Sequence, residues 1–383
     1  MLTCFIINTA PFLEKLVFYH NDPLAQDLGG GAEHFRCLHR ALAASELPFQ
    51  LVGSRLQQDL SAPEIVYISH GTGFIRFYLA LWRWFWRCRH GFAEDDVFHF
   101  HRNYAAWPKL LLAPRRGRVI VSYHNVTGRV LEGLLGRMGS PLRRVMLALE
   151  RRVARLADAI VCVSSRDRRE LARLVADEPF TRAHIVPAAF DQALFDEIES
   201  APPVPELARR VLVLGRISHQ KNVPLALATL EALHGTGEPF ELTIAGRGEG
   251  SKELIRLIAC SHAAARIRWV GAVPHDEVPA LLREHGILLL TSRYEASPTV
   301  VKEALRAMRP VVSTDVGDVA DWLEHDRTGF ICASTAEALA EGVRAAGRLI
   351  REGRYRPTSR LEQLDETRLM SDVLTLYRQL AVR

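Results

Sequence analysis

The sequence predicts an α/β protein built from two Rossmann-like domains, each containing a doubly wound parallel sheet. Three observations lead to this fold class. The chain has 383 residues, which is long for one hydrophobic core and favours two domains. Short β-branched or apolar runs alternate with helical patterns in both halves, as in βαβ units. Between the halves, three prolines within 202–205 interrupt the alternation and predict a linker.

The predicted elements follow one another in a regular order. Strands are expected at 3–8, 49–53, 64–68, 96–100, 118–123, 159–164 and 183–187, and in the second half at 211–214, 240–245, 267–270, 286–290 and 310–313. Helices are expected at 31–44, 73–89, 141–156 and 166–175, then at 222–233, 250–261, 276–284, 299–308, 335–349 and 361–381. We therefore expect a first domain over 1–200, a second over 206–360, and a C-terminal helix within 361–383.

Composition narrows the class of protein. With 48% hydrophobic and 24% charged residues the chain is neither disordered nor fibrous. The six cysteines contain no C-x-x-C pair, and four of them lie in apolar or periodic stretches. This favours buried thiols over disulfides or a zinc site. No apolar run reaches eighteen residues and the first residues do not resemble a signal peptide, so we expect a cytoplasmic protein.

Ligands of doubly wound sheets bind at the carboxyl ends of strands, near a topological switch point. Glu295 lies in a loop after the strand at 286–290, and Ser297 is the expected N-cap of the next helix. The amides of Thr299 and Val300 would then form a phosphate site at the positive end of the helix. Glu303 lies one turn further, where it would face the same pocket. The alternative is a capped helix with two solvent-facing acids.

Two further strand ends carry candidate donor-binding residues. Arg216 and Lys221 follow the strand at 211–214, where two cations suit the charge of a diphosphate. Surface cations on a turn are an equally good explanation of this motif taken alone. Gly246 follows the strand at 240–245 and would allow a ligand to approach the backbone, although a lone G-x-G is a weak signal.

The first half has weaker signals of the same kind. Gly30 and Gly31 open a predicted helix, where their amides would point at an anion or an acceptor; a flexible loop explains them equally well. His124 follows the strand at 118–123 and would hydrogen-bond a sugar hydroxyl or assist proton movement. His99 and His101 alternate at another strand end, which favours a structural or acceptor-side role.

Several of these segments, taken in order, resemble glycosyltransferase family 4, whose members have the GT-B fold. The resemblance extends over nearly the whole chain, and its specific motifs lie in the second half. Those motifs read VLVLGRISHQKN, LTIAGRGEG, IRWVGAVPHDEVPALL and LLLTSRYEASPTVVKEALRAMRPVVSTDVGD; looser matches are GGGAEHF, DVFHFHR, VIVSYHN and LADAIVCVSS.

The resemblance implies a retaining glycosyltransferase that takes a hexosyl group from a GDP- or UDP-sugar and needs no cofactor or metal. In the family's pattern, Glu295 would hold hydroxyls of the donor sugar and Glu303 would hold the ribose. Arg216 and Lys221 would bind the diphosphate, and the leaving phosphate would accept the proton of the acceptor.

On the acceptor side, the resemblance implies that Gly30 and Gly31 approach a phosphate or the acceptor and that His124 contacts the transferred sugar. The acceptor would be a glycan or a lipid-linked molecule, used in cell-envelope or exopolysaccharide biosynthesis. The chain departs from the family's usual residues at 188–190, at Ala296 and Arg309, and at Asp318. These departures leave the class intact and put the identity of the donor in doubt.

Other functions remain open from the sequence. A nucleotide-sugar 2-epimerase shares the fold but would use different acids in the cleft, and no motif indicates the lysine-bound pyridoxal phosphate of a phosphorylase. A non-catalytic nucleotide-sugar-binding protein would keep the same ligand contacts. Nucleic-acid binding has only the net charge of +5 in its favour, because no helix-turn-helix, zinc or RNP-like signature is present.

The segment 75–90 predicts a possible contact with an anionic membrane. If it is helical, Arg76, Arg83 and Arg87 lie on one stripe, and tryptophans at 82, 84 and 86 surround them. Arginine beside tryptophan is typical of a helix in the headgroup region. A core helix with aromatics on the sheet and arginines in water explains the pattern nearly as well.

Overall fold

The computed structural model describes residues 15–19, 30–56, 62–71, 73–124, 140–176, 180–196 and 201–381. The predicted strand at 3–8 lies outside these residues. Within them the chain forms two parallel β-sheets with helices between their strands, which confirms the predicted fold class. Each sheet takes its strands from one half of the chain.

The first sheet has seven strands among the described residues: β1 (Lys15–Phe18), β2 (Phe49–Arg55), β3 (Ile65–His70), β4 (Val97–Phe100), β5 (Arg118–Tyr123), β6 (Ala159–Cys162) and β7 (Ala183–Ile185). Their order is β3-β2-β1-β4-β5-β6-β7, and neighbouring strands are parallel. The direction of winding reverses between β1 and β4, so the switch point lies at these two strands.

The second sheet has six strands in that part of the chain: β8 (Arg210–Leu214), β9 (Glu241–Ala245), β10 (Ile267–Gly271), β11 (Ile287–Leu290), β12 (Val311–Thr314) and β13 (Gly329–Cys332). Their order is β10-β9-β8-β11-β12-β13, again parallel throughout. Its switch point lies between β8 and β11. The loops that carry Lys221 and Glu295 follow these two neighbouring strands.

Helices connect the strands in both halves. In the first half they are α1 (Gly30–Ala43), α2 (Phe74–Cys88), α3 (Trp107–Leu112), α4 (Ser140–Leu156), α5 (Ser165–Val175) and α6 (Ala193–Asp196). In the second half they are α7 (Val223–His234), α8 (Ser251–Cys260), α9 (Val278–Arg283), α10 (Thr299–Arg306), α11 (Val319–Trp322), α12 (Ala336–Arg351) and α13 (Glu366–Ala381). Short 3₁₀ turns occur at Asn103–Ala106, Pro205–Leu207, Ala264–Arg266, His275–Glu277 and Ser359–Leu364.

Strand β1 is the main element that the sequence did not predict. It has four residues, of which the first is charged and the next three form a short apolar run. Lys15 is nevertheless only 1% exposed, because β1 lies between β2 and β4 in the middle of the sheet. Strand β13 and the short helices α3, α6 and α11 were also missed.

Helix α2 packs on the first sheet through Phe77, Leu81 and Phe85, which are spaced four residues apart and buried. The ring of Phe18 lies 5.3 Å from that of Phe85, and Trp84 meets Phe18 edge-on at 5.6 Å between centroids. Trp84 is partly buried and packs against this core, so the alternative of a core helix describes this side chain better than a lipid-facing surface does. The predicted arginine stripe is exposed.

The C-terminal segment returns to the first sheet. The single helix predicted over 361–381 is split into a 3₁₀ turn and α13, and α13 contacts α1 and β4. Tyr377 of α13 is fully buried, with 2.6 Å between its hydroxyl and Nδ1 of His99. The last helix is thus packed against the strand that borders the first switch point. No described helix is long and apolar enough to span a bilayer.

Candidate active site

Glu295 and Lys221 form an ion pair at the second switch point, with 2.8 Å between Lys221 Nζ and Glu295 Oε1. Ser292 Oγ donates to Oε1 at 2.7 Å, and Gln220 Nε2 donates to Oε2 at 3.0 Å. Glu295 is 7% exposed. Two predicted site residues, one from each strand-end loop, are therefore brought into direct contact, and the carboxylate is held by donors on both oxygens.

Arg216 and Gly246 lie in the loops beside this pair. Arg216 follows β8 and is exposed. Gly246 follows β9 with φ +139°, and a Cβ at this position would meet the carbonyl oxygen of Gly215 at 1.9 Å. The glycine is therefore required by the close approach of the two loops. Its predicted contact with a ligand stays a prediction.

Ser297 does not cap helix α10, so that prediction is wrong. The N-cap residue is Pro298, and no side chain makes a capping hydrogen bond there. Ser297 Oγ instead donates to Asp318 at 2.6 Å and accepts a hydrogen bond from the backbone N–H of Ala188 at 3.2 Å. The hydroxyl is drawn away from the helix because these long-range partners compete with the helix amides.

Glu303 lies in α10 and is 5% exposed. Burial raises the pKa of Glu303 above its usual range, although His275, a hydrogen bond with the Thr299 side chain and Lys221 oppose that effect, while Glu33 adds to it. His275 Nε2 lies 3.9 Å from Glu303 Oε1 and equally far from Glu33 Oε2. Glu33 comes from α1, so one imidazole lies between carboxylates from the two halves of the chain.

Helix α10 also carries a buried cation that the sequence patterns did not indicate. Lys302 is 0% exposed, and its Nζ donates to the carbonyl of Ala188 at 2.9 Å and to Ser297 Oγ at 2.5 Å. Asp318 Oδ2 lies 3.4 Å from the same atom. Burial lowers the pKa of Lys302, and the carboxylate of Asp318 opposes that shift. Asp318, which departs from the family pattern, therefore forms an ion pair with Lys302.

Histidines line the first switch point. His101 follows β4, His124 follows β5, and His34 lies in the first turns of α1, which begins at Gly30. Ring centroids of His34 and His124 are 5.7 Å apart, and those of His101 and His124 are 5.5 Å apart. His124, which was predicted from its strand end, therefore belongs to a cluster close to the predicted glycine loop.

The histidine rings of this cluster are neutral near pH 7. Burial lowers the pKa of His34 to about 4, and burial lowers the pKa of His99 to about 3. Burial, together with neighbouring histidines and Arg102, also lowers the pKa values of His101 and His124 well below the usual range. Each ring therefore offers one N–H donor and one lone pair.

The predicted residues that meet directly are Glu295 and Lys221, whereas Thr299 and Val300 begin the neighbouring helix α10. The structure adds polar side chains that the sequence analysis did not predict, among them Gln220, Glu33, His275 and Lys302. Each lies within a quoted motif, and Glu33 follows a glycine loop in the first turn of a helix. This position could have identified Glu33 as a site residue from the sequence.

This arrangement combines a buried carboxylate, cations at strand ends and a helix N-terminus. Cations and helix amides stabilise phosphate oxygens, whereas carboxylates and neutral N–H groups suit hydroxyls. No cluster of three or more His, Cys, Asp or Glu side chains is placed to hold a metal ion among the described residues.

Comparison with known proteins agrees with this fold. Residues 28–193 match the model of Glycosyltransferase Family 4, and residues 195–348 match that of Glycosyl transferases group 1. Two parallel α/β sheets with this arrangement define a GT-B glycosyltransferase fold. The chain belongs to glycosyltransferase family 4, as the motifs indicated.

The individual relatives share low sequence identity with this chain. A glycogen synthase of Mycobacterium tuberculosis is 29% identical over 274 residues, which cover 70% of this chain and 65% of that enzyme. The chain thus spans just under two thirds of this relative's length. Among solved structures, sucrose-phosphate synthase of Thermosynechococcus elongatus superposes with a TM-score of 0.76 at 17% identity, covering 96% of this chain and 99% of that one. Anabaena HepE in complex with UDP-glucose gives 0.64 at 14% identity, with 95% and 100% coverage.

Proposed function

We propose that this protein is a retaining glycosyltransferase that moves a hexosyl group from a UDP- or GDP-sugar to a glycan or lipid-linked acceptor in polysaccharide biosynthesis. The observation that carries the proposal is the Lys221–Glu295 ion pair at the second switch point. The glycogen synthase relative supports a polysaccharide product. The HepE complex with UDP-glucose supports a UDP-sugar as the first donor to test.

When the donor binds, Lys221 and Glu295 would exchange their contact with each other for contacts with the donor. Lys221 balances the charge of Glu295 in the unliganded site. An incoming diphosphate offers Lys221 a stronger charge-assisted partner, while Glu295 gains hydroxyls of the donor sugar. As the glycosidic bond breaks, negative charge grows on the leaving phosphate, and Lys221 with Arg216 would stabilise it there. Glu303 would hold the ribose.

Product analysis of nucleotide sugars tests this function. Purified protein is mixed with UDP-glucose, UDP-N-acetylglucosamine or GDP-mannose, with and without short glycans, and free nucleoside diphosphate is measured. We expect release with one donor and almost none with the Glu295→Gln variant. A donor that raises the melting temperature but is never consumed would indicate a binding protein. Conversion of the donor to its 2-epimer would indicate an epimerase.

We also propose that turnover requires no divalent metal. Two cations and the N-terminus of α10 can neutralise a diphosphate without one. Activity should therefore persist in EDTA. Complete loss in EDTA, reversed by magnesium or manganese, would contradict this part of the proposal.

A lipid-linked acceptor is supported by the outer surface of the first half. Ile75, Leu79 and Trp86 of α2 are exposed, and their spacing of four and seven residues places them on one helix face. Val145, Leu149 and Leu156 of α4 repeat the same spacing and are also exposed. Both helices carry exposed arginines: Arg76, Arg83 and Arg87 on α2, and Arg152 and Arg155 on α4.

Both helices contact the continuous segment formed by a 3₁₀ turn and α3. Helix α2 contacts α3, and α4 contacts the 3₁₀ turn that leads into α3. Apolar ridges beside arginines suit the headgroup region of an anionic membrane, and the sequence pI near 9.0 has the appropriate sign. We therefore propose that this face binds the cytoplasmic surface of a membrane peripherally.

Sedimentation with liposomes tests the membrane contact. The protein should pellet with vesicles that contain phosphatidylglycerol and dissociate at high salt, because exposed charges are screened. Replacing Ile75, Leu79 and Trp86 by serine should weaken pelleting. The matched control replaces Ile255 and Val270, which are exposed apolar residues of the second half. If no protein pellets at low salt, this face does not bind the membrane, and a soluble acceptor is favoured.

A further inference from the structure

His101 and His124 share one hydrogen bond, with 3.3 Å between Nδ1 of His101 and Nε2 of His124. Neither ring is charged near pH 7, so one ring donates and the other accepts. The direction of this bond decides which nitrogen of His124 carries its proton. That choice matters if His124 touches the transferred sugar, as expected under the proposed function.

The second nitrogen of His101 discriminates between the two directions. His101 is 1% exposed, and its Nε2 has no hydrogen-bond partner among the described residues. If His124 were the donor, the single proton of His101 would lie on this buried Nε2 as an unsatisfied N–H. If His101 is the donor, Nε2 holds only a lone pair. A buried N–H group without an acceptor is the rarer and costlier arrangement.

The described neighbours of His101 offer no acceptor for a proton on Nε2. The ring of His99 lies tilted beside that of His101, with 4.4 Å between centroids, and it uses Nδ1 for Tyr377 and Nε2 for Ser122. The ring of Phe35 packs edge-on against His101 with 5.1 Å between centroids. In the part of the chain that the structure describes, His101 therefore has no second hydrogen-bond partner. The titratable or charged groups that act on His101 and His124 are His34, His99 and Arg102.

We propose that His101 is a positioning residue, which donates from Nδ1 to His124 and thereby fixes His124 as the tautomer protonated at Nδ1. His124 then serves as a neutral hydrogen-bond donor to the reacting sugar. Its Nε2 lone pair is occupied, so the ring is unavailable as a base. The proton of the acceptor must leave by another group, and the leaving phosphate is the available one.

His34 provides a second ring of fixed tautomer beside His124. The backbone N–H of Ala189 donates to Nδ1 of His34 at 3.1 Å, so the proton of His34 lies on Nε2. Both rings are therefore N–H donors with lone pairs already used. A pair of neutral donors stabilises sugar or phosphate oxygens without competing with Lys221 and Arg216 for the charge of the diphosphate.

Ring nitrogen NMR of protein labelled with ¹⁵N-histidine tests the tautomer directly. At pH 7 we expect His124 to be neutral and protonated at Nδ1, with its signals assigned by their loss in His124→Asn. A neutral ring protonated at Nε2, or an imidazolium, would overturn the proposal. This measurement requires no substrate, so it is independent of whether the protein transfers a sugar.

A matched pair of variants tests the positioning role. Asparagine and leucine have nearly the same size, but only the amide of asparagine places an N–H near the position of ring atom Nδ1. His101→Leu should lower kcat by about tenfold or more with little change in donor KM, and His124 should show both tautomers. His101→Asn should keep the Nδ1–H form and recover most of the rate. Equal rates and an unchanged His124 tautomer in both variants would overturn the assignment.

Discussion

The two switch points differ in the charge of their polar groups. At the second switch point the contacts are between full charges, as in the Lys221–Glu295 pair. Around β4 and β5 of the first sheet they are between neutral rings and hydroxyls, as in the His99 contacts with Tyr377 and Ser122. Under the proposed function, the charged groups at the second switch point compensate the charge of a diphosphate. The neutral donors at the first switch point orient hydroxyl groups.

Breaking the buried charged pair should give the largest effect on stability. Lys302→Met leaves Asp318 buried without its cation, which should lower the free energy of unfolding by about 3–5 kcal/mol. Urea unfolding measures the loss. The double variant Lys302→Met/Asp318→Asn should recover part of it, because no charge then remains unpaired. A single variant within about 1 kcal/mol of wild type would show that the pair is not important for stability.

Breaking the Lys221–Glu295 ion pair should affect turnover more than folding. Lys221→Ala and Glu295→Gln should each lower kcat/KM by about 10²-fold or more, roughly 3 kcal/mol, because a preorganised charge contact at the reacting phosphate or sugar is lost. Melting temperatures should fall less than for Lys302→Met, because both residues lie in loops and Ser292 and Gln220 still donate to the Glu295 carboxylate. Lys252→Ala, at an exposed lysine of α8, is the control and should remain fully active.

Lowering the pH should destabilise the protein through the buried, neutral histidines of the first half. The pKa values of His34 and His99 are about 4 and about 3 in the folded protein, against about 6.5 in an unfolded chain. Below pH 6.5 the unfolded chain therefore binds more protons, and the free energy of unfolding falls as the pH falls. The expected slope is up to about 1.4 kcal/mol per pH unit for each histidine, until the pH reaches the folded pKa.

Urea unfolding at pH 7, 6 and 5 measures that slope. His99→Asn removes one of the buried titrating rings and should make the slope shallower. The exposed His90 is the matched position, and His90→Asn should leave the slope unchanged. A slope that is the same in all three proteins would mean that His99 is not held neutral by its surroundings.

Substitution of Glu303 should give the smallest effect. Glu303→Gln keeps the size of the side chain and removes its charge. Because ribose contacts are similar in the ground state and the transition state, donor KM should rise about tenfold while kcat stays nearly constant. Initial rates at varied donor concentration separate the two constants. A fall in kcat with unchanged KM would place Glu303 at the reacting bond instead.

The charged second switch point was more predictable from the sequence than the neutral first one. Glu295 and Glu303 lie within one strand–loop–helix motif, so local spacing places them near each other. Lys221 follows the neighbouring strand of the same sheet, and strand ends of a parallel sheet meet at one edge. The error at Ser297 arose because its hydroxyl binds Ala188 and Asp318, partners that the capping pattern does not include.

The alternation of apolar runs and helical patterns by itself determined the α/β class, most helix boundaries to within two residues, and which side chains follow each strand. These features depend on neighbours a few residues away. The tertiary structure alone decided that Lys15 begins a central strand, that Tyr377 reaches His99, and that His101 meets His124. Such contacts depend on the order of strands in a sheet and on the return of the last helix. Local periodicity does not encode either, because residues 23 or 278 positions apart meet only after the whole sheet has formed.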